Sequence, residues 1–273
     1  AQTIEHLRTA ITNMEIMPSM RAMMSAGKAA KRDNCAMYNC SYLPVDDMRS
    51  FDEAMFILLC GTGVGFSVER QYINELPRVP DDLEPCDKVI KVEDSKEGWA
   101  KALREMISSL YLGQIPSWDV SLVRPAGTPL KTFGGRASGP EPLVKLFKFV
   151  INVFRNAEGR KLTSIECHDI MCMIGDVVVV GGVRRSAMIS LSNLSDDRMR
   201  NAKVGAWWDV TKWRELSNNS AVYTEKPEIG AFMREWLSLY DSKSGERGIF
   251  NREASKKVAD RNGRRNSNHE FGT

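Results

Sequence analysis

The chain has 273 residues, of which 42% are hydrophobic, and its 38 basic and 35 acidic residues give a formal net charge of +3. This length and apolar share allow a buried core and fit one large domain or two small ones. A charge so close to balance does not indicate a nucleic-acid polymer as partner, although local basic clusters could meet small phosphates. The sequence has no apolar run of about 18 residues and no signal-peptide pattern, so we expect no membrane span and a cytoplasmic location.

The cysteines and histidines do not form a metal-binding pattern. No pair of cysteines is spaced Cys-x-x-Cys, and the three histidines stand far apart, so no structural metal site is predicted. The thiols are expected to be reduced, and each is by default a small buried apolar side chain. The six cysteines are Cys35, Cys40, Cys60, Cys86, Cys167 and Cys172.

The first third of the chain predicts two helices and two strands. Apolar residues at helical spacing indicate a helix over residues 3–16, and the methionine-rich segment Met17–Gly27 is interpreted as core packing. A strand is predicted over Tyr38–Val45. The helix Phe51–Leu59 follows, with Ser50 and Glu53 forming its capping box. That helix leads into glycines at positions 61, 63 and 65 and then into a strand from Phe66. These glycines are interpreted as a plain tight turn in the first place, and as a close approach of the backbone to a ligand in the second.

The middle of the chain alternates helical segments with irregular ones. Residues 75–95 are rich in Pro and Asp and predict a surface excursion, followed by a helix over Glu97–Leu112. Residues 113–140 predict a long loop, which is either functional or disordered. Helices are predicted over 142–156 and 164–173.

The last third returns to short apolar segments. Val177–Val180 predicts a buried strand, and Met188–Leu191 a second extended segment. Helices are predicted over 227–240 and 252–265. Helices alternating with short buried strands indicate an α/β or α+β fold.

Two glycine-rich segments carry arginine side chains of a kind that binds anions. Gly181-Gly182-Val183-Arg184-Arg185-Ser186 offers two planar guanidinium groups on a mobile loop, although a plain hairpin with solvated arginines explains it equally well. The segment from Gly134 to Pro140 pairs Arg136 and Ser138 with a following helix start, which suits an anion, or is a flexible connection. Cys40, from its own surroundings, is interpreted as a buried thiol.

Four segments in one order resemble a known family. They are Asn39–Asp47, Leu59–Glu69, Phe133–Pro140 and His168–Ala187. In their order and in the lengths between them they are similar to the monomeric, adenosylcobalamin-dependent ribonucleoside-triphosphate reductases, from about Pro18 to the last residue.

The resemblance assigns roles residue by residue. Cys40 matches the first cysteine of the redox pair, which reduces the substrate 2′-carbon and ends as a disulfide. Substrate contacts are implied for Ser19, Asn39 and Gly63. Effector contacts are implied for a ribose-holding carboxylate and a specificity loop, namely Asp47, Gly181, Gly182, Val183, Arg184, Arg185 and Ser186. The loop from Arg124 to Pro140 resembles a segment that helps to order the effector.

The resemblance also implies a reaction and its partners. A cobalamin-initiated thiyl radical would reduce ribonucleoside triphosphates to deoxyribonucleoside triphosphates, which are DNA precursors, under control of a dNTP effector and with a thioredoxin-like dithiol as reductant. The radical cysteine, most of the adenosylcobalamin-binding region and the shuttle cysteines would lie after Thr273, in a missing C-terminal portion. We therefore expect this chain by itself to be inactive.

The expected fold class is α/β, with an N-terminal helical segment over 1–30 and the first half of the ten-stranded reductase barrel over 31–273. Two alternatives stay open. One is a fragment of a dimeric or metal-radical reductase large subunit. The other is a non-catalytic nucleotide-binding module that keeps only the effector site.

Overall fold

A computed structural model describes residues 2–129, 136–180 and 187–263, and gives the backbone but not the side chains at 179 and 180. Three short helices open the chain, followed by a 3-10 turn at Cys35–Met37. These are α1 (Gln2–Thr12), α2 (Met20–Ser25) and α3 (Lys28–Arg32). No described helix is both long enough and apolar enough to cross a membrane.

The rest of the described chain alternates strands and helices, which confirms the α/β class. In chain order the elements are β1 (Cys40–Pro44), α4 (Ser50–Leu59), β2 (Gly63–Ser67), α5 (Arg70–Ile73), β3 (Glu84–Lys91), α6 (Lys96–Tyr111), β4 (Gln114–Asp119), α7 (Glu141–Asn156), α8 (Ser164–Val180), β5 (Met188–Asn193), α9 (Asp197–Arg200), α10 (Trp207–Val210), β6 (Ser217–Tyr223), α11 (Ile229–Ser242), β7 (Gly248–Asn251) and α12 (Arg252–Asn262).

Two parallel sheets organise the described residues. Five strands run in the order β1-β2-β5-β6-β7, and β3 pairs with β4 in a separate sheet of two. Every pair of neighbouring strands is parallel. Parallel strands need a crossover between them, and here helices supply it. Because its strands are parallel, all five strands of the main sheet begin along the same edge.

The core lies where helices α4, α6, α7 and α8 pack together beside the main sheet. Fully buried side chains from the helices and from β2 fill this space, among them Phe51, Phe66, Leu103, Phe147 and Phe154. Helix α7 illustrates the pattern, because it buries residues at three- and four-residue intervals from Leu143 to Phe154. The predicted helix over 142–156 is thus confirmed.

Several local predictions were wrong. Val177–Val180 continues helix α8 and is not a strand. The glycine segment does not precede its strand, because β2 begins at Gly63. The segments 75–95 and 113–140 contain strands β3 and β4. Ser50 begins α4 without capping it, since the cap position is Arg49 and no side chain bonds there.

The methionine-rich segment also differs from its prediction. Its methionines are exposed instead of packed in the core, with Met17 at 84% and Met20 at 66% of full exposure. Helix α1 has no buried residue either. Methionine content by itself therefore did not indicate burial in this segment.

Candidate functional site

Cys40 occupies the first position of β1, at the edge where the parallel strands begin. It is in register with Gly63, the first residue of β2. The Gly63 amide donates to the carbonyl of Asn39 at 2.9 Å, and the Ser41 hydroxyl donates to the carbonyl of Gly63 at 3.1 Å. These bonds fix Asn39, Cys40 and Gly63, three of the predicted site residues, as immediate neighbours.

Exposure separates Cys40 from the other cysteines. All six cysteines are among the described residues; Cys40 is exposed, Cys35 and Cys86 are half-buried, and the rest are buried. Burial raises the pKa of the Cys60 thiol to about 12. Thiol–disulfide exchange needs an accessible sulfur, so Cys40 is the cysteine best placed for it. The sequence-based interpretation of Cys40 as a buried thiol was therefore wrong.

The start of β5 brings a third segment to the same edge. The amide of Val64 donates to the carbonyl of Ala187 at 3.0 Å. A methyl group added at Gly63 would lie 3.1 Å from that same carbonyl oxygen. A side chain at position 63 would therefore need β2 or Ala187 to shift slightly, and Ala187, which directly follows the segment 181–186, is held against Gly63.

Ser19 reaches the site region through helix α2. Its hydroxyl accepts from the amide of Ala22 at 3.1 Å and caps that helix. Arg21, in the same helix, donates to the carbonyl of Gly61 at 2.5 Å. This bond ties α2 to the turn that leads into Gly63, although no direct contact joins Ser19 to Cys40.

The predicted effector residues are not all placed. Gly181, Gly182, Val183, Arg184, Arg185 and Ser186 lie outside the described residues. Asp47 is exposed beyond the carboxyl end of β1, and so at the opposite end of that strand from Cys40. Its carboxylate accepts from the amide of Arg49 at 2.7 Å. Asp47 therefore has a local turn-forming role in addition to any contact with a ligand.

The loop predicted to help order the effector is only partly described, because residues 130–135 lie outside the described part. Arg124 pairs with Asp94 at 2.6 Å. Arg136 donates to the carbonyl of Gly127 at 2.9 Å. Arg124 thus ties the loop to the segment before α6, and Arg136 bonds within the loop itself.

Helix α8, which leads into the predicted specificity loop, is fixed to the sheet by buried polar contacts. His168 lies 2.9 Å from the side-chain oxygen of Asn219 in β6. The neighbouring Asp169 accepts two hydrogen bonds from Arg214, both at 2.7 Å. A buried, well-paired network of this kind orients the helix that carries the loop.

Sequence reasoning missed a cluster of three ionisable groups beside this edge. Lys96 pairs with Asp33, and its ammonium nitrogen lies 3.0 Å from the sulfur of Cys60. The three residues are far apart in the chain and none belongs to a motif. No local sequence signal could have predicted the cluster.

Two cavities among the described residues are each too small for a corrinoid. One, of about 300 Å³, lies at the carboxyl ends of β5 and β6, and another, of about 510 Å³, lies between α4 and α6. Such volumes hold drug-sized ligands, and adenosylcobalamin is much bulkier. Neither of these two cavities by itself is therefore large enough to hold that cofactor.

Comparison with known proteins gives a consistent answer. Residues 76–154, which span the two-stranded sheet, α6 and most of α7, match the family described as "B12-dependent ribonucleotide reductase, insertion domain". The solved structure of a B12-dependent (class II) ribonucleotide reductase superposes with a TM-score of 0.68 and 25% identity, covering 81% of this chain and 38% of that one.

The curated relatives are also adenosylcobalamin-dependent ribonucleotide reductases. The adenosylcobalamin-dependent ribonucleoside-triphosphate reductase of Levilactobacillus brevis is 30% identical over 71% of this chain and 30% of its own length. The enzyme of the same name from Lactobacillus delbrueckii subsp. bulgaricus is 32% identical over 76% of this chain and 31% of its own. The enzyme of the same name from Euglena gracilis is 32% identical over 66% of this chain and 26% of its own length.

The described parallel α/β sheet superposes on a B12-dependent ribonucleotide reductase, and the curated relatives are adenosylcobalamin-dependent reductases. The chain belongs to the B12-dependent ribonucleotide reductase family. It spans under a third of the length of the relatives named above.

Proposed function

We propose that this chain forms part of an adenosylcobalamin-dependent ribonucleoside-triphosphate reductase and supplies Cys40 as one of its two reducing thiols. The single observation that supports this most is the exposed Cys40 beside Gly63, at the edge where Ala187 bonds to Val64. Reduction of the substrate at the 2′-carbon removes two electrons from a thiol pair. Cys40 would thus lose its proton and join a partner cysteine supplied by the rest of the enzyme.

The other site residues would bind nucleotides. Ser19, Asn39 and Gly63 would contact the substrate. The position of Asn39 and Gly63 directly beside the exposed Cys40 supports this assignment. Asp47 and the loop 181–186 would read a dNTP effector, and Arg184 and Arg185 would supply the charge.

Several parts of the enzyme would lie outside the described residues. These include most of the adenosylcobalamin site, the radical cysteine and the partner of Cys40. This chain's own part would be to hold the nucleotide and to supply one thiol. The five parallel strands would form the first half of a ten-stranded barrel, with residues 1–30 as a separate helical segment. A thioredoxin-like dithiol would regenerate the thiols in the cytoplasm.

The test uses alkylation of the folded chain. Iodoacetamide should modify Cys40 before the buried and half-buried cysteines, and a mixture of ribonucleoside triphosphates should slow that modification. Cys40→Ser should remove the fast-reacting site, whereas Cys86→Ser should leave it. Equal modification rates with and without nucleotide, in a chain that stays folded, would contradict the substrate assignment.

A second measurement tests the effector assignment and separates the reductase from a binding module. We expect the chain to bind a dNTP, and Arg184→Ala combined with Arg185→Ala to weaken that binding. Adding the rest of a homologous enzyme with adenosylcobalamin and a dithiol should restore nucleotide reduction. Binding with no restored reduction would favour the non-catalytic module. Reduction by the isolated chain would contradict its expected inactivity.

A further inference from the structure

A lysine and a cysteine meet at the carboxyl end of α4, outside the nucleotide site. The Lys96 ammonium nitrogen lies 3.0 Å from the Cys60 sulfur, and the sulfur lies 3.4 Å from a carboxylate oxygen of Asp33. Lys96 and Asp33 also form an ion pair. The three side chains thus converge from three separate segments of the chain.

Both reacting side chains are held in place. Lys96 is the first residue of α6, directly after the helix-capping Ser95. Its ammonium also lies 4.7 Å from the centre of the Phe56 ring, one turn before Cys60 on α4. Cys60 closes α4, and its amide bonds to carbonyls of that helix. The two helix ends therefore fix the backbones of Lys96 and Cys60, and the Lys96 side chain is held by Asp33 and the Phe56 ring.

The cluster lies at the rim of the protein. Cys60 is only 3% exposed, but the side chains of Lys96 and Asp33 are 21% and 20% exposed. Hydrogen peroxide or a small dithiol can reach such a position, whereas a protein cannot. The geometry therefore allows oxidation by peroxide and disfavours exchange with a protein disulfide.

We propose that hydrogen peroxide joins Cys60 and Lys96 through a single bridging oxygen, as a reversible N–O–S crosslink. The observed separation leaves room for one oxygen between the two atoms, whereas a direct sulfur–nitrogen bond would draw them much closer together. Cys60, Lys96 and Asp33 are not among the residues proposed to bind the substrate or the effector. The proposal stands whether or not the chain acts in nucleotide reduction.

The steps balance with two equivalents of peroxide. Cys60 attacks the first, forming a sulfur–oxygen bond and releasing water, which gives a sulfenic acid. Lys96 loses its ammonium proton to solvent through the Asp33 carboxylate, and its amine attacks the second peroxide, giving a hydroxylamine and water. The hydroxylamine oxygen then displaces water from the sulfenic sulfur. Sulfur and nitrogen each lose two electrons, and two equivalents of a dithiol return both groups and release one water.

The pH dependence follows from the surroundings of the thiol. Burial raises the pKa of Cys60 to about 12 although the neighbouring Lys96 favours the thiolate, and Cys35 and Asp33 oppose ionisation further. Only the thiolate attacks peroxide. We therefore expect slow crosslinking at neutral pH and a rate that rises roughly tenfold per pH unit below that pKa.

The crosslink would fasten two regions together. Lys96 lies within residues 76–154, and Cys60 directly precedes the turn that leads to Gly63. Arg21 bonds to that same turn at the carbonyl of Gly61. An oxidised chain would therefore hold the turn next to Cys40 more rigidly than a reduced one.

The experiment treats the folded chain with hydrogen peroxide and maps its peptides by mass spectrometry. We expect one species in which the peptides of Cys60 and Lys96 are joined with a gain of one oxygen and a loss of two hydrogens. Trypsin should no longer cleave after Lys96. A dithiol should restore the original mass.

Matched variants make the result specific. Lys96→Arg and Cys60→Ser should each abolish the joined peptide, whereas Lys101→Arg and Cys86→Ser should keep it. Circular dichroism would confirm that each variant is folded. Oxidation of Cys60 to sulfinic or sulfonic acid without a joined peptide would overturn the proposal, as would a Cys35–Cys60 disulfide, which loses two hydrogens and gains no oxygen.

Discussion

At the scale of single residues, the position of Cys40 matters more than its immediate neighbours in sequence. Asn39 and Ser41 flank it and carry no charge that would favour the thiolate, so the local sequence alone predicts a core residue. The strand pairing instead leaves it exposed at an edge, next to Gly63. Exposure is set by which strands lie beside β1, and these strands are distant in sequence.

Gly63 gives a prediction that can be tested without nucleotide. A Cβ at this position would lie 3.1 Å from the backbone oxygen of Ala187, which the sheet holds in place. Gly63→Ala should therefore force β2 and β5 apart slightly and reduce the free energy of unfolding by roughly 1–2 kcal/mol. Urea denaturation followed by circular dichroism measures this loss.

Gly248→Ala is the matched control. This glycine also lies at the start of a strand, and its Cβ would meet the side-chain oxygen of Ser220 at 3.2 Å. A serine side chain can rotate away, so the change should be close to neutral. If both variants lost the same stability, the backbone clash at Gly63 would not explain the effect.

At the scale of elements, helices were predicted well and strands less well. The amphipathic helices α7 and α12 begin within one residue of their predicted starts, because their apolar spacing is local information. The strand predicted over Val177–Val180 was wrong for a physical reason. Helix α8 is buried on nearly all sides, so its last turn is a run of valines that periodicity cannot distinguish from a buried strand.

The first residue of a helix is also hard to predict from local residue spacing. Ser50 and Glu53 have the spacing of a capping box, but α4 begins one residue earlier than that pattern requires. Thr163 and Glu166 have the same spacing and do form the box. The Thr163 amide and hydroxyl each donate to the Glu166 carboxylate at 2.8 Å, and the Glu166 amide donates back at 3.4 Å. Spacing alone does not show which of two such patterns is used.

The difference between these two patterns predicts different stabilities. Thr163→Ala removes a cap from α8 and should reduce the free energy of unfolding by about 1 kcal/mol. Ser50→Ala should cost less, because the Ser50 hydroxyl makes only long contacts, at 3.4 and 3.5 Å, in the turn before α4. Thermal unfolding of both variants measures the contrast. An equal or larger loss for Ser50→Ala would mean that Ser50 contributes to α4 in a way these distances do not indicate.

At the scale of the whole molecule, the sequence indicated an α/β fold but not the order of its strands. Strands β2 and β5 are neighbours although more than a hundred residues separate them, and that segment includes β3 and β4 in a sheet of their own. The matched insertion domain falls inside this segment. Pairing over such a distance depends on the packing of α4, α6, α7 and α8, which local patterns do not contain.

Buried ion pairs join the distant parts of the sheet and helices. Glu235 of α11 accepts from Arg247, just before β7, at 2.6 and 2.8 Å, and from Arg200 of α9 at 2.8 Å. Arg247 also donates to the hydroxyl of Ser192 in β5 at 3.0 Å. One carboxylate thus organises the last third of the described chain, and removing its charge should be costly.

Glu235→Gln should therefore destabilise the protein by roughly 3 kcal/mol at pH 7, since it leaves the buried Arg247 without its anion and leaves the half-buried Arg200 with Asp197 alone. Burial would raise the pKa of Glu235, but Arg247 and Arg200 outweigh it and hold that pKa below its ordinary value of 4.5. A lowered carboxyl pKa contributes stability above pH 4.5, and this contribution is lost as the pH falls through the folded-state pKa. Because glutamine has no proton to gain, the variant should lose less stability than the parent between pH 6 and pH 3. Denaturant titrations at a series of pH values test both effects.

Glu53→Gln serves as the control, since its pair with Arg49 is about half exposed and should matter by under about 1 kcal/mol. An acid profile of Glu235→Gln parallel to that of the parent would show that other carboxylates govern acid unfolding.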